Sequence, residues 1–108
     1  MGSPLALLLA LLSANSAQST RLSCTMAAAK DRPILVAVGQ TKVAFDLETF
    51  NAVFTSRAVL WTKPLARGDG YYLFTLDRSY RRLTIMPMRD RRTPLAKMQV
   101  GSCRKLLQ

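Results

Sequence analysis

The chain has 108 residues, with 16 Lys and Arg against 6 Asp and Glu, a net charge of +10 at pH 7, two cysteines and no histidine. Without histidine there is no Ser-His or Cys-His nucleophile pair, and two thiols alone cannot complete the usual zinc site. The length leaves room for one small domain, whose core is marginal unless something reinforces it.

The first twenty residues carry no charged side chain, and an apolar run extends from Leu5 to Leu12. That run is too short to span a bilayer, which takes roughly eighteen residues or more. Small and polar residues follow from Ser13 to Thr20. The pattern is that of a signal peptide over residues 1–19, cleaved near 16–19, which leaves 20–108 as a single small β domain in the periplasm or outside the cell. No Lys or Arg precedes the run, and Pro4 does. The competing reading is a buried N-terminal helix, which would interleave polar residues at the 3.6 period. With the signal removed, no transmembrane span remains. Lipidation of Cys24 is disfavoured, because Arg21 stands where such a motif has an aliphatic residue.

Cys24 and Cys103 lie near the two ends of the expected mature chain. In an oxidising compartment an isolated pair is most simply a disulfide, with one possible connectivity. Closing a loop of roughly 80 residues removes unfolded-chain entropy worth about 4–5 kcal/mol at most. There is no Cys-x-x-Cys to suggest a redox pair.

Residues 24–30 read as a loose lead-in. Pro33 to Val38 is a short β-rich run ended by Gly39, and Lys42 to Leu47 alternates, with Val43, Phe45 and Leu47 on one face. A turn over Glu48 to Asn51 returns the chain through Ala52, Val53 and Phe54. The same stretch, 44–54, also fits a short helix capped by Asp46, since short apolar runs are ambiguous by period; strands are favoured. Gly68-Asp69-Gly70 is a turn leading into Tyr71 to Leu76, where Tyr72, Phe74 and Leu76 share a face. The chain returns as Arg82 to Met86, with Leu83 and Ile85 inward, as a half-buried antiparallel pair requires. Pro87, which has no amide hydrogen for a ladder, is expected to end that strand. A basic loop from Met88 to Pro94 follows, and Met98 and Val100 suggest a last short strand carrying Cys103. The fold class is therefore all-β: a small antiparallel meander or partly closed barrel closed by one disulfide.

Little in the chain suggests catalysis. Asp46 and Glu48 fall on one side of an extended strand, which superficially resembles a glycosidase pair but is better read as a solvated edge. No Gly-Lys-Ser/Thr follows the glycine turn, so it is no phosphate loop. Trp61 reads as a core or rim tryptophan, and one ring of the Tyr71-Tyr72 pair should face solvent as a contact residue. No enzymatic activity, cofactor or metal is expected.

The charge is uneven. From Arg78 onward nine basic residues face a single acid, Asp90. Two readings stay open. One is an anion-binding face built from Arg78, Arg81, Arg82, Arg89, Arg91 and Arg92, docking anionic envelope components such as lipopolysaccharide, acidic lipid or polymer. The other is a merely solvated surface, because the arginines fall in loops and alternate with apolar strand residues. Nucleic acid is disfavoured as a partner: an exported protein seldom meets it, and no zinc-finger, ribonucleoprotein or basic-zipper pattern is present.

Leu22-Ser23-Cys24, Val43 to Leu47, Leu76 to Leu83 and the closing Gly101-Ser102-Cys103 together resemble a pattern in small exported proteobacterial proteins of unknown function. These have a cysteine soon after the signal, an Asn/Asp-Arg-x-Thr/Ser-Gly hairpin and a C-terminal Gly-x-Cys. The resemblance implies an exported, β-rich, disulfide-closed protein and carries no activity. At the hairpin this chain departs, with Tyr80 in place of Thr/Ser and Arg81 in place of Gly, a residue that usually supplies the positive φ of such turns. Periplasmic inhibitors of c-type lysozyme are also small disulfide-closed barrels. Their Ser-Ala-Ser-Gly-type loop is absent here, and a domain at +10 would repel their basic target.

Overall fold

The computed structural model describes residues 19–106. The expected export signal and its cleavage zone, apart from Ser19, lie outside them. The described residues form nine strands: β1 (Thr20–Met26), β2 (Ile34–Val38), β3 (Lys42–Phe45), β4 (Glu48–Asn51), β5 (Val53–Phe54), β6 (Ala58–Pro64), β7 (Tyr71–Asp77), β8 (Arg82–Met88) and β9 (Gln99–Lys105). They make one sheet in the order β4-β3-β2-β1-β9-β8-β7-β6-β5, antiparallel at every pairing. Among the described residues no helix is long and apolar enough to cross a membrane.

Chain neighbours pair along the sheet, and β1 additionally pairs with β9. The strands at the two ends of the order, β4 and β5, are separated only by Ala52. Taken as one bent strand, they turn the sheet into an up-and-down barrel that is nearly closed. With about eight strands around it, such a barrel has an interior just wide enough for side chains to fill. The seam runs between β4 and β6. The β5–β6 ladder has two pairs, Val53↔Leu60 and Phe54↔Val59, and at Ala52 the backbone turns to β3, its amide donating to Thr41 O at 3.0 Å. Beyond that point the gap is bridged by Lys63, whose Nζ lies 2.6 Å from Glu48 Oε1. That hydrogen bond holds Lys63 above its ordinary pKa.

Alternation along the strands fills the interior, because successive side chains of a strand point to opposite faces. Leu22, Cys24 and Met26 of β1, Val36 and Val38 of β2, Val59 and Trp61 of β6, and Phe74 and Leu76 of β7 are all buried. Phe45 packs against both Trp61 and Phe74, with ring centroids 6.1 and 4.8 Å away. Trp61 and Phe74 are opposite each other in the β6–β7 ladder and stack at 5.2 Å, nearly parallel. This aromatic cluster lies directly behind the seam. Trp61 Nε1 is buried without a hydrogen-bond partner among the described residues, so the indole is held by its area and by ring packing, which outweigh the penalty of about 1–3 kcal/mol for an unmade bond.

Cys24 and Cys103 form a disulfide, Cα atoms 4.0 Å apart, between directly opposed residues of β1 and β9. The Cys103 amide donates across the other side to Arg81 O, so the cysteine pair is of the narrow, non-hydrogen-bonded kind that brings side chains closest. Both sulfurs belong to the buried core. The expected all-β, disulfide-closed antiparallel fold is thus observed, and of the meander and the partly closed barrel it is the barrel, nearly closed.

Five local expectations need correction. Residues 24–26 are no loose lead-in: Cys24 and Met26 continue β1, alternating with exposed or half-buried Arg21, Ser23 and Thr25. The turn expected at 48–51 lies two residues earlier, where Asp46 and Leu47 both adopt positive φ, 50° and 72°. That is the signature of a tight two-residue hairpin connection, whose twist matches that of the flanking strands. Leu47 consequently leaves the core face and is 94% exposed, and Asp46 and Glu48 are not neighbours along one strand. Finally, Pro87 does not end β8; it pairs with Tyr72 inside the strand. Its carbonyl accepts from Leu95 on the side where β9 has already stopped, so the missing amide hydrogen falls where no ladder needs one.

Candidate functional site

A groove of about 590 Å³ lies where the end of β1, the β1–β2 loop, the start of β8 and the middle of β9 meet. Its walls carry Lys30, Arg81 and Arg82, and its floor is Met26, Ala27, Val100 and Gly101. A second hollow, of about 480 Å³, adjoins it and is lined by Ser79, Tyr80, Arg81 and Ser102 to Lys105. Arg81 and Ser102 belong to both. Lys30, Arg81, Arg82, Arg104 and Lys105 therefore converge on one surface, and no carboxylate lines it.

Sheet register explains the convergence. Thr25 of β1 opposes Ser102 of β9, which opposes Arg82 of β8, giving one row across three strands. Gly101 permits the close approach of β9 to β1: a Cβ there would sit 2.5 Å from Met26 Sδ and 2.9 Å from Thr25 O. The two arginines are fixed from behind by Asp77, whose Oδ1 accepts from the amides of Arg81 and Arg82 at 2.8 and 2.9 Å. Oδ2 accepts the Ser79 hydroxyl at 2.6 Å. Partial burial raises the Asp77 pKa, but the bonds from Ser79, Arg82 and Arg81 outweigh it and hold the carboxylate below its usual range. This carboxylate cage also resolves the missing glycine of the hairpin. The positive φ falls on Tyr80, at 59°, whose amide donates to Asp77 O. Tyr80 packs against the core and lies 5.8 Å beneath the Lys105 ammonium, contacts that hold it in a conformation few non-glycine residues adopt.

Of the six arginines expected to form one face, only Arg81 and Arg82 line these hollows. Arg78 is directed elsewhere, its guanidinium donating to Thr55 O at 3.1 Å and lying over the Phe54 ring. Arg89, Arg91 and Arg92 sit beyond the opposite end of β8, about 20 Å away at roughly 3.4 Å per residue. Lys30, Arg104 and Lys105 complete the cluster instead. Their proximity follows from the β1–β9 pairing, for which the two cysteines were the one clue in the sequence. Tyr72 does reach solvent, 37% exposed at the end of the core-facing row of β7, while Trp61 is core. Comparison with protein-family models, with curated proteins and with solved structures found no match for the chain.

Proposed function

We propose that this is an exported, non-enzymatic structural or interaction protein of the periplasm or cell exterior, docking onto anionic envelope components through the groove of Lys30, Arg81, Arg82, Arg104 and Lys105. Lipopolysaccharide phosphates, acidic lipid headgroups and acidic polymer offer the matching charge. The observation that carries the reading is the convergence of five cations from three chain segments on adjoining hollows without a carboxylate. Repulsion among like charges makes such a cluster unfavourable unless a counter-charge completes it. A buried disulfide in so small a domain agrees with an oxidising, non-cytoplasmic compartment, as does the uncharged leucine-rich start.

The test is co-sedimentation with vesicles carrying acidic lipid, at physiological ionic strength and at about 1 M salt, where the screening length falls to about 3 Å. Binding is expected at the lower salt and lost at the higher. At roughly 1 kcal/mol per basic residue near an anionic surface, the Arg81→Gln/Arg82→Gln pair weakens it about 30-fold. Arg91→Gln/Arg92→Gln removes the same charge outside the groove and serves as the control. Equal losses in the two double variants would reduce the groove to net charge alone, and salt-independent retention would exclude the electrostatic reading.

A further inference from the structure

The loop between β8 and β9 carries Arg89-Asp90-Arg91-Arg92, three arginines in four positions that form no part of the groove. Every residue from Arg89 to Gln99 is exposed, including Leu95 and Met98, at 42% and 45%. The loop therefore contributes nothing to the core. What orders it is slight: Arg89 N to Thr93 O, Leu95 N to Pro87 O, and Asp90 Oδ1 accepting from the amides of Arg92 and Thr93 at 2.9 and 3.0 Å. Segments held by a few solvent-exposed hydrogen bonds open readily without global unfolding.

We propose that the Arg92–Thr93 bond is a processing site for an endoprotease that reads paired basic residues, and that the cut protein persists as two chains joined by Cys24–Cys103. Hydrolysis adds one water: the Arg92 carbonyl takes the hydroxyl, the Thr93 nitrogen takes the proton, and no redox step is involved. Three arginines ahead of the bond match a protease cleft with several acidic subsites, in the geometry that makes guanidinium–carboxylate recognition specific.

The other basic sites of the chain are poorer substrates. Arg81-Arg82 and Arg104-Lys105 are also pairs, but both amides of the first are held by Asp77 and it leads directly into buried Leu83, while the second lies in β9 opposite Ser23 and Leu22 of β1, with the following Leu106 amide bonded to Arg21 O. Arg32 and Lys63 each precede a proline, which restricts the backbone of the residue before it and denies a protease the next amide. Arg67, in the exposed β6–β7 loop, is a single arginine followed by glycine.

The cut leaves the barrel intact because β9 is held independently of the loop. It pairs with β1 over five residue pairs, with β8 over four, and through the disulfide. Residues 93–108 contain Cys103 and residues up to 92 contain Cys24, so only reduction after cleavage frees the C-terminal piece. That piece carries Ser102, Arg104 and Lys105, so the groove is dismantled only when both events have occurred.

The experiment treats the folded, oxidised protein with a subtilisin-type endoprotease specific for paired basic residues and follows intact mass with and without reductant. The expected result is one cut at Arg92–Thr93: the unreduced product gains the mass of one water and keeps its cooperative thermal transition, and reduction splits it in two. Arg91→Gln/Arg92→Gln abolishes the cut. Asp90→Ala, which removes both Asp90 side chain–backbone bonds, quickens it at least about fivefold, the gain in open loop expected from the loss of even one ordinary bond. A first cut at Arg67, Arg82 or Lys105, or resistance persisting in Asp90→Ala, overturns the site. Loss of the thermal transition in the cut, unreduced protein overturns the two-chain product.

Discussion

The barrel is closed twice, by different means. Where β1 meets β9, five backbone pairs run past a buried disulfide. Where β4 and β5 meet β6, two backbone pairs give way to a single exposed ion pair, Glu48–Lys63, backed by the ring cluster of Phe45, Phe50, Trp61 and Phe74. Far apart in the chain, β1 and β9 incur the larger entropy of loop closure and receive the covalent bond, whereas the seam joins segments close in sequence and relies on packing. A small barrel thus needs no continuous ladder all the way round if an interior cluster holds the gap.

Opening the seam from within should have the largest effect. Trp61→Ala removes the ring that Phe45 and Phe74 contact and is expected to destabilise by about 3–5 kcal/mol, read as the urea midpoint, with β4 and β5 amides losing exchange protection before those of β1. Opening the other junction, with Cys24→Ala/Cys103→Ala or with reductant, should lower stability by about 2–5 kcal/mol. If the seam amides exchange first in that variant as well, the β1–β9 ladder outlasts its disulfide. Gly101→Ala forces a methyl against Met26 and the Thr25 carbonyl at the same junction, for an overpacking loss of about 1–3 kcal/mol, or a fall in Tm of about 4–8 °C per kcal/mol for a domain of this size.

Two smaller effects sharpen the contrast. Leu47→Gly relieves a non-glycine residue at φ 72° on the seam side and should stabilise the protein by about 1 kcal/mol, since the left-handed region costs an L-residue roughly 1–2 kcal/mol. Near the disulfide, Asp77 has a depressed pKa in the fold. Its contribution is present above the unfolded carboxylate value of about 3.9 and is lost as pH falls through the folded value. An acid titration of stability should therefore be flat from neutrality to about pH 4 and fall below it, with Asp77→Asn flattening the fall.

The β7–β8 hairpin was legible at the level of register, because Phe74 and Leu76 face Ile85 and Leu83 with period two and a glycine turn precedes them. The disulfide was legible because only one pairing exists. The hairpin at Asp46-Leu47 was not, since neither residue announces a positive-φ position and Leu47 completes an apolar alternation that the fold interrupts. The groove was legible only in part. Arg81 and Arg82 are adjacent in sequence, but Lys30 and Lys105 become neighbours of that pair only through a sheet order that places the first and last strands side by side. Charge counting along the chain instead grouped Arg81 and Arg82 with Arg89, Arg91 and Arg92, which β8 carries to the opposite end.

The pairing of β1 with β9 also makes the molecule a ring in topological terms. Leu22 opposes Lys105, and the Leu106 amide donates to Arg21 O at 2.9 Å, so the outer ends of these strands are neighbours. Linking them by a short turn and beginning the chain at Thr93 would yield a permutant in which every paired strand except β8 and β9 is a neighbour in sequence. Its disulfide would then close a hairpin instead of spanning 79 residues, and its restraint on the unfolded chain would shrink accordingly. The same sulfur–sulfur bond, in the same place in the barrel, would have changed from a long-range clasp into a local ornament of one turn.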